Sequence, residues 1–254
     1  MEKYTPLDQA LMSSRPEEEL ELLHTTGILE ELYPEVAAMV GFGGQGQGHK
    51  DLWWHTKKVV SQTPVMQSVR WAAVFHDVGK VPTFARDKGK VSFHGHEVVS
   101  ARLFNKAARR TGLEESFRKK VRFLVRHLGQ MESYERDWTD RAVRRFYSQC
   151  GKHWEELLAL ACADITTKHD DRRRVHRARM KELDDRAKVI AKEDAKLPLL
   201  PKGLGLVLIE KLKIVPGPAL GRYMNDLKLA VESGELPARA EPTTYVEHIR
   251  AKLS

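Results

Sequence analysis

The sequence lacks the marks of membrane-spanning, secreted and disulfide-stabilised proteins. No apolar stretch approaches the ~20 residues that a membrane-spanning helix needs. The first residues, Met-Glu-Lys-Tyr-Thr-Pro, show no cationic start followed by an apolar run, so we expect no secretory signal. Two cysteines, Cys150 and Cys162, are too few for a disulfide framework and lie in helix-like segments, which favours reduced core thiols. We therefore expect a cytoplasmic protein with no membrane partner.

Alternation of apolar and polar residues with a period of two is also scarce, which argues against strands. Helical periodicity dominates, and one apolar stripe comprises Phe117, Val121, Leu124, Val125 and Leu128. We predict an all-α protein with main helices at residues 51–62, 68–78, 96–111, 116–128, 138–149, 154–167 and 171–192. Prolines 198 and 201 end this run. We predict a helical bundle domain over residues 1–195 and a small C-terminal helical extension over residues 196–254.

A glycine-rich segment precedes the helix predicted at residues 51–62. Gly41, Gly43 and Gly46 match G-x-G-x-x-G, but no strand ending in an acidic residue follows about 20 residues later, as a dinucleotide site requires. No Gly-Lys-Ser/Thr closes the segment, so it is not a phosphate loop of that kind either. We interpret it as a flexible lead into the next helix.

Positive charge is concentrated in two regions of the chain. The net charge is +8. Residues 106–145 hold twelve Lys/Arg against six Asp/Glu, and residues 168–188 hold nine against five. Such patches suit a phosphate-rich partner such as a nucleotide or an RNA. The alternative is two solvated helix faces with surplus lysines and arginines.

One pair of adjacent residues points to metal chemistry. His76 and Asp77 end the apolar run Trp-Ala-Ala-Val-Phe, where an imidazole and a carboxylate are costly to bury unless something binds them. Divalent metals are the commonest such ligand, because His nitrogen and Asp oxygen are both standard metal donors. Helical spacing turns further candidates toward the same core: His55, His127 and Asp164.

Two more imidazoles, His94 and His96, precede the helix predicted at 96–111, and one of them could reach the same cluster. Any one of these residues alone is more often a satisfied core or loop residue than a ligand. Together they favour a metal site. Mixed His and carboxylate donors suit Mn, Fe, Co, Ni or Zn better than Mg or Ca.

The order His55, His76-Asp77, Asp164 resembles the signature of the HD phosphohydrolase superfamily, and His76-Asp77-Val-Gly79-Lys80 has that superfamily's common His-Asp-x-Gly-Lys form. Leu22-Leu-His-Thr-Thr-Gly, Trp54-His-Thr, Phe93-His-Gly-His-Glu and Pro216-Gly-Pro-Ala-Leu-Gly also resemble the HD and C-terminal regions of bacterial CCA-adding tRNA nucleotidyltransferases. The similarity covers roughly residues 20–250. Those enzymes carry an N-terminal polymerase head with paired aspartates. This sequence begins where that head would end and contains no Asp-x-Asp, so we expect it not to add nucleotides.

The resemblance implies an HD-type helical phosphohydrolase with one or two divalent transition metals. His55, His76, Asp77 and Asp164 would bind the first metal. His96 and His127 would bind a second or hold the phosphate, although Leu128 replaces the third histidine of two-metal members. We assign catalysis to Asp77 and Lys80, and substrate binding to Lys80, Arg86, His94 and Lys168.

The predicted reaction is attack of a metal-bound hydroxide on nucleotide or RNA-end phosphoesters, most favourably 2′,3′-cyclic phosphodiesters and phosphomonoesters. The partner is a nucleotide or an RNA 3′ end, with tRNA as one case. Two alternatives stay open: a 5′-nucleotidase acting on small (deoxy)nucleotides, and a non-catalytic RNA-binding module that keeps the cluster for structure.

Overall fold

The computed structural model describes residues 5–43, 50–194 and 198–253. Helices dominate these ranges, which confirms the predicted all-α class. The chain divides into two compact units, Met1–Ile190 and Ala191–Ser254. Most of the glycine-rich segment, residues 44–48, and the predicted boundary between residues 195 and 196 lie outside the described residues. None of the helices in the described ranges combines the length and hydropathy that a membrane crossing requires.

The first unit is a bundle of helices with one small hairpin. In chain order its helices are α1 (Pro6–Met12), α2 (Pro16–Thr25), α3 (Ile28–Leu32), α4 (Pro34–Ala37), α5 (Leu52–Gln62), α6 (Gln67–Phe75), α7 (Lys80–Thr83), α8 (His96–Arg110), α9 (Glu115–Glu132), α10 (Asp140–Cys150), α11 (Trp154–Ala163) and α12 (Asp170–Asp194). A 3₁₀ turn, Gly151–His153, joins α10 to α11.

Helix α6 forms the centre of this bundle. Every residue from Ser68 to Phe75 is buried, because the helix is apolar on nearly all sides and packs against α1, α5, α8, α9 and α11. The one cation in this stretch is Arg70, whose Nη1 donates to the carbonyl oxygens of Leu11 and Ser13. The residues that follow α6 therefore emerge in the middle of the bundle.

Helix α9 confirms the predicted apolar stripe and extends beyond it. Val121, Leu124, Val125 and Leu128 are buried along one face. The side chain of Glu114 caps the helix by accepting from the backbone amides of Ser116 and Phe117. The helix continues to Glu132 rather than ending at residue 128, and Met131 adds one more buried turn.

A short hairpin follows α7 and was not predicted. Strands β1 (Ala85–Asp87) and β2 (Lys90–Ser92) pair antiparallel, with Arg86 opposite Val91. The two turn residues, Lys88 and Gly89, both have positive φ, which suits the right-handed twist of a two-residue hairpin. With three residues in each strand, the hairpin is too short to give a clear alternating pattern in sequence.

The second unit has its own apolar core. Its helices are α13 (Leu204–Leu212), α14 (Pro218–Glu232) and α15 (Pro242–Leu253). Their packing buries Leu204, Leu208, Leu227, Val231, Tyr245, Val246 and Ile249. The Tyr245 hydroxyl donates to the carbonyl of Pro237 at 2.8 Å and accepts from the amide of Ala240 at 3.0 Å, which ties the loop before α15 to the core.

Candidate metal centre

His76 and Asp77 directly follow the C-terminal end of α6. The helix ends at Phe75, three residues earlier than predicted, and His76 is its C-cap. Both side chains are buried, with 3% of His76 and 2% of Asp77 exposed. The early end turns the pair out of the apolar helix and toward the other candidate ligands.

Gly79 allows α8 to approach closely the turn that carries His76 and Asp77, which we call the His76-Asp77 corner. Its amide donates to the Ser100 hydroxyl at 2.8 Å, and a Cβ at Gly79 would stand 2.3 Å from the carbonyl oxygen of His96. Only glycine permits this approach. The contact brings the start of α8, and with it His96, to the corner that carries Asp77.

His55 and Asp164 reach the cluster from two further helices. His55 lies on α5, which Asp51 caps through the amide of Trp54. Asp164 follows directly after α11, which ends at Ala163 rather than at residue 167 as predicted. Nε2 of His55 lies 3.0 Å from Oδ1 of Asp164 and 3.2 Å from Nε2 of His76.

The histidine tautomers are set by hydrogen bonds on the far side of each ring. Nδ1 of His76 donates to the carbonyl of Ala73 at 2.7 Å, and Nδ1 of His96 donates to that of Phe93 at 3.0 Å. Nδ1 of His55 lies 2.9 Å from the Thr166 hydroxyl. A carbonyl can only accept, so the neutral rings of His76 and His96 carry their proton on Nδ1 and direct the lone pair of Nε2 at the cluster, as metal-binding imidazoles do.

Opposite charges are concentrated in this buried space. Burial opposes ionisation of Asp77, but His76 and Lys80 outweigh it and hold the pKa of Asp77 well below its usual range. Burial likewise opposes the charge of Asp164, yet His76 and His55 keep its pKa well below normal. Burial lowers the pKa of His76, but Asp77 and Asp164 raise it well above its usual value. The two buried carboxylates therefore favour a positive charge between them, and a divalent cation would compete with a proton for the histidine nitrogens.

The donor set fits a transition-metal ion. Ligands about 2.1 Å from one ion lie roughly 3.0–3.4 Å apart in octahedral or tetrahedral sites. His55, His76 and Asp164 each offer an atom within 4.8 Å of the others. Oδ2 of Asp77 lies 3.3 Å from Nε2 of His76 and 3.6 Å from Nε2 of His55. Oδ1 of Asp164 is buried and lacks a hydrogen-bond partner, which a bound cation would supply.

The two remaining predicted ligands are placed differently. His96 is near the cluster, with Nε2 3.7 Å from Oδ1 of Asp77. His127 lies apart from it, because its Nδ1 bonds the carbonyl of Phe123 at 2.8 Å and its Nε2 lies 2.9 Å from the Gln149 side chain. Its ring stacks on Phe123 at a centroid distance of 4.0 Å. We therefore leave His127 out of the proposed metal site.

Of the four predicted substrate-binding residues, the structure brings one to the cluster. Nζ of Lys80 lies 2.7 Å from Oδ2 of Asp77. His94 and Lys168 are exposed, and Arg86 on β1 lies over the ring of Phe84 at 6.0 Å. A depression of about 300 Å³ opens over the cluster and is lined by Lys50, Leu52, His55, Asp77, Lys80, Phe93 and Asp164.

Sequence reasoning missed two residues at this site. Lys50 lines the depression and donates to the Thr166 hydroxyl at 3.3 Å. Glu132, at the end of α9, bonds Asp164, and burial together with Asp164 raises the pKa of Glu132 well above its usual range. Neither has a sequence signal, since Lys50 precedes its helix and Glu132 lies four residues beyond the end predicted for α9.

Comparison with known proteins agrees with this geometry. The HD domain family model matches residues 64–196. The A-adding tRNA nucleotidyltransferase of Deinococcus radiodurans is 29% identical over 240 residues, which cover 89% of this chain and 52% of that protein. The multifunctional CCA protein of Pseudomonas savastanoi pv. phaseolicola is 35% identical over 79 residues, or 29% of this chain and 19% of that protein. That of Pseudomonas aeruginosa strain PAO1 is 37% identical over 86 residues, or 32% and 21%.

This chain thus spans about half the length of the first of these relatives and about a fifth of the other two. The family match includes α6, the His76-Asp77 corner and Asp164, while His55 precedes it. The match covers more than half of the chain, which therefore belongs to the HD domain family of metal-dependent phosphohydrolases.

Proposed function

We propose that this protein hydrolyses phosphoesters of nucleotides or RNA ends with the help of a divalent metal held by His55, His76, Asp77 and Asp164. One observation carries the proposal: the imidazoles of His55 and His76 direct Nε2 at the orphaned Oδ1 of Asp164, at 3.0 and 3.3 Å. His96 stands next to this set, with Nε2 near Asp77.

A divalent ion of this donor class, when bound, supplies Lewis acidity and lowers the pKa of a bound water toward neutrality. Lys80 contributes a fixed positive charge beside it. Burial lowers the pKa of Lys80, but Asp77 outweighs burial and the net pKa is raised, so the ammonium stays charged. Together with Lys50, it offers the depression two cations that can hold phosphate oxygens.

We propose 2′,3′-cyclic phosphodiesters and phosphomonoesters as the preferred substrates. In the cyclic case a water oxygen forms a new bond to phosphorus, one of the two ribose P–O bonds breaks, and the released ribose oxygen takes a proton. The Deinococcus relative supports an RNA-end substrate because it is a tRNA nucleotidyltransferase. The open depression of about 300 Å³ supports it too, since a chain end enters such a site more readily than a duplex.

The test combines metal analysis with turnover of the purified protein. Elemental analysis should find at least one transition metal. Added Mn, Co or Ni should support hydrolysis of bis-p-nitrophenyl phosphate, 2′,3′-cyclic AMP and RNA ending in a cyclic phosphate. Asp77→Asn should abolish both bound metal and turnover, while His169→Ala, which replaces an exposed histidine of the same unit, should leave them unchanged.

Each failure points to a different alternative. Turnover of deoxynucleoside 5′-monophosphates with none at cyclic RNA ends would replace the proposed substrate by that of a 5′-nucleotidase. Absence of metal and of turnover with every added ion would leave a non-catalytic RNA-binding module.

A further inference from the structure

A second candidate binding surface lies on the other side of α8 from the metal centre. His96 and Ser100 of α8 face Asp77 and Gly79. Arg102 and Asn105 instead face α9 across a depression of about 420 Å³. We call this depression the α8–α9 groove, and it is lined by Val98, Ala101, Arg102, Asn105, Lys119, Arg122, Phe123, Arg126 and His127.

The groove is strongly positive. Arg102 of α8 meets Lys119, Arg122 and Arg126 of α9, and no acidic side chain is among the described residues that line it. The spacing of three and four residues puts the α9 cations on one helix face, over about 10 Å of helix length. Four like charges at one depression repel one another, which disfavours the free state and favours an anionic ligand.

Three of these cations are not engaged by the protein. In the part of the chain that the structure describes, the side chains of Arg102, Arg122 and Arg126 make no hydrogen bond or ion pair, and all three are exposed. Lys119 differs, because its Nζ lies 2.7 Å from Oε1 of Glu115. Elsewhere in the first unit arginines commonly hold a carboxylate, as Arg110 does with Glu35. The three free guanidinium groups are therefore available to a ligand.

The floor of the groove is aromatic. The rings of Phe123 and His127 stack with an interplanar angle of 25°, and both side chains are half-buried. The ring of His153 also lies beside Phe123, at a centroid distance of 5.1 Å. Aromatic rings bordered by planar guanidinium groups suit a ligand that combines flat bases with phosphates. An acidic protein segment would use the charges but not the rings.

We propose that the α8–α9 groove binds the backbone and bases of single-stranded RNA at a site separate from the metal centre. The choice of RNA rests on the proposed function, because an enzyme that acts on RNA ends must also hold the chain that leads to them. The charges, the free guanidinium groups and the aromatic floor stand independently of catalysis.

The test measures RNA binding directly, without turnover. Fluorescence anisotropy of a labelled single-stranded RNA is compared for the full-length wild type and the triple variant Arg102→Gln/Arg122→Gln/Arg126→Gln. Glutamine keeps a long polar side chain with good helix propensity, so the fold should survive, and circular dichroism checks this. The variant should lose roughly tenfold or more in affinity, and its salt dependence should flatten by about 2 units of log K per log salt.

A matched control separates the groove from net charge. Arg15→Gln/Lys152→Gln/Lys181→Gln removes the same charge from exposed cations outside the groove, two of which pair with Glu18 and Asp185. This control should change RNA affinity by less than about threefold. Equal losses in the two triple variants, or no loss in the groove variant, would overturn the proposal.

A second variant tests the aromatic floor. Phe123→Leu keeps an apolar side chain but removes the ring, and it should weaken binding of RNA more than binding of an abasic ribose-phosphate chain. Two results together would instead assign the groove to an acidic protein. Polyglutamate would displace RNA at an equal concentration of charge, and Phe123→Leu would leave RNA affinity unchanged.

Turnover of 2′,3′-cyclic AMP is measured on the same proteins and should be unchanged in the groove variant. RNA binding that depends on the groove, in a protein without turnover, would sink the proposed function and keep this inference. Turnover in a protein whose RNA binding does not depend on the groove would keep the proposed function and overturn this inference.

Discussion

Nε2 of His55 and Nε2 of His76 lie 3.2 Å apart, although the two histidines come from different helices and are 21 residues apart in sequence. Nδ1 of His76 donates to a carbonyl, and Nδ1 of His55 lies within hydrogen-bond distance of a hydroxyl. Nε2 of neutral His76 therefore presents a lone pair to Nε2 of His55, and a proton on His55 or a cation beside both nitrogens would stabilise this close approach. Asp77 and Asp164 on either side make a cation the better fit.

Metal binding should stabilise the fold. Addition of Mn²⁺ to metal-depleted protein should raise the Tm, and at about 100 times the Kd the gain in free energy of unfolding should be about 2.7 kcal/mol. His76→Ala removes a central donor and should abolish the shift, whereas His169→Ala should keep it. Differential scanning fluorimetry measures both. An undiminished Mn²⁺-dependent shift in His76→Ala would rule out this cluster as the site.

Lys80→Gln should impair catalysis more than folding. Loss of the ammonium 2.7 Å from Asp77 removes a positive charge from the pocket, and kcat/KM for 2′,3′-cyclic AMP should fall by roughly 10²–10³-fold. Lys90→Gln, an exposed cation on β2, is the matched control and should stay within about twofold of wild type. Steady-state kinetics with the preferred metal decides between these outcomes.

Gly79→Ala should disrupt the corner that carries the site. Its Cβ would meet backbone atoms, the His96 carbonyl at 2.3 Å and the Ser100 amide at 2.6 Å, so α8 must shift. We expect a loss of about 1–3 kcal/mol in the free energy of unfolding, together with weaker metal binding. Gly221→Ala on α14, where a Cβ would meet nothing within 4 Å, should be neutral or slightly stabilising. Urea unfolding of both variants tests the contrast.

Glu156 should give the first unit a pH-dependent stability. It accepts from the Ser68 hydroxyl at 2.6 Å and from Lys120 at 3.1 Å, and Nδ1 of His153 lies 3.3 Å away. Burial opposes its charge, but the hydrogen bonds from these partners outweigh burial, and the pKa of Glu156 lies below its ordinary value of 4.5. A lowered folded pKa means that the contribution is complete above about pH 5 and is lost as the pH falls through the folded pKa.

Glu156→Gln should therefore cost about 1–2 kcal/mol at pH 7 and much less near pH 3. The neighbouring Glu155→Gln, which loses only an exposed pair with Lys188, should cost less than about 0.5 kcal/mol at either pH. Denaturant titrations at several pH values measure the difference. A Glu156→Gln penalty that persists unchanged at acid pH would contradict the assignment.

The thiol of Cys150 should be inert in the folded protein. Burial raises the pKa of Cys150 to about 12, so only about 10⁻⁴ of it is thiolate at pH 8. A chromogenic disulfide reagent should label Cys150 orders of magnitude more slowly in native than in urea-denatured protein, with peptide mapping to separate it from Cys162. Rapid labelling of native Cys150 would contradict its place in the core.

Much of the fold followed from periodicity. The apolar stripe of α9 and the all-round apolar α6 each identify a helix and the face it buries, because a helix must turn its apolar residues inward. The ends were less predictable. Helix α6 ends at Phe75 and α11 at Ala163, each before the ligand that follows, because packing around the cluster and not local propensity sets these ends.

The sequence was enough to predict the class of the fold and to favour a metal site, since His76-Asp77 lies in an apolar run with His55 and Asp164 on inward faces. Which of the candidates meet depended on the packing of the helices. It placed His96 beside Asp77 and His127 on the α8–α9 groove, and it brought Glu132 and Lys50 to the site. The reason is geometric: a helical pattern tells which residues face inward, but which inward faces meet depends on how the helices pack across long separations in sequence.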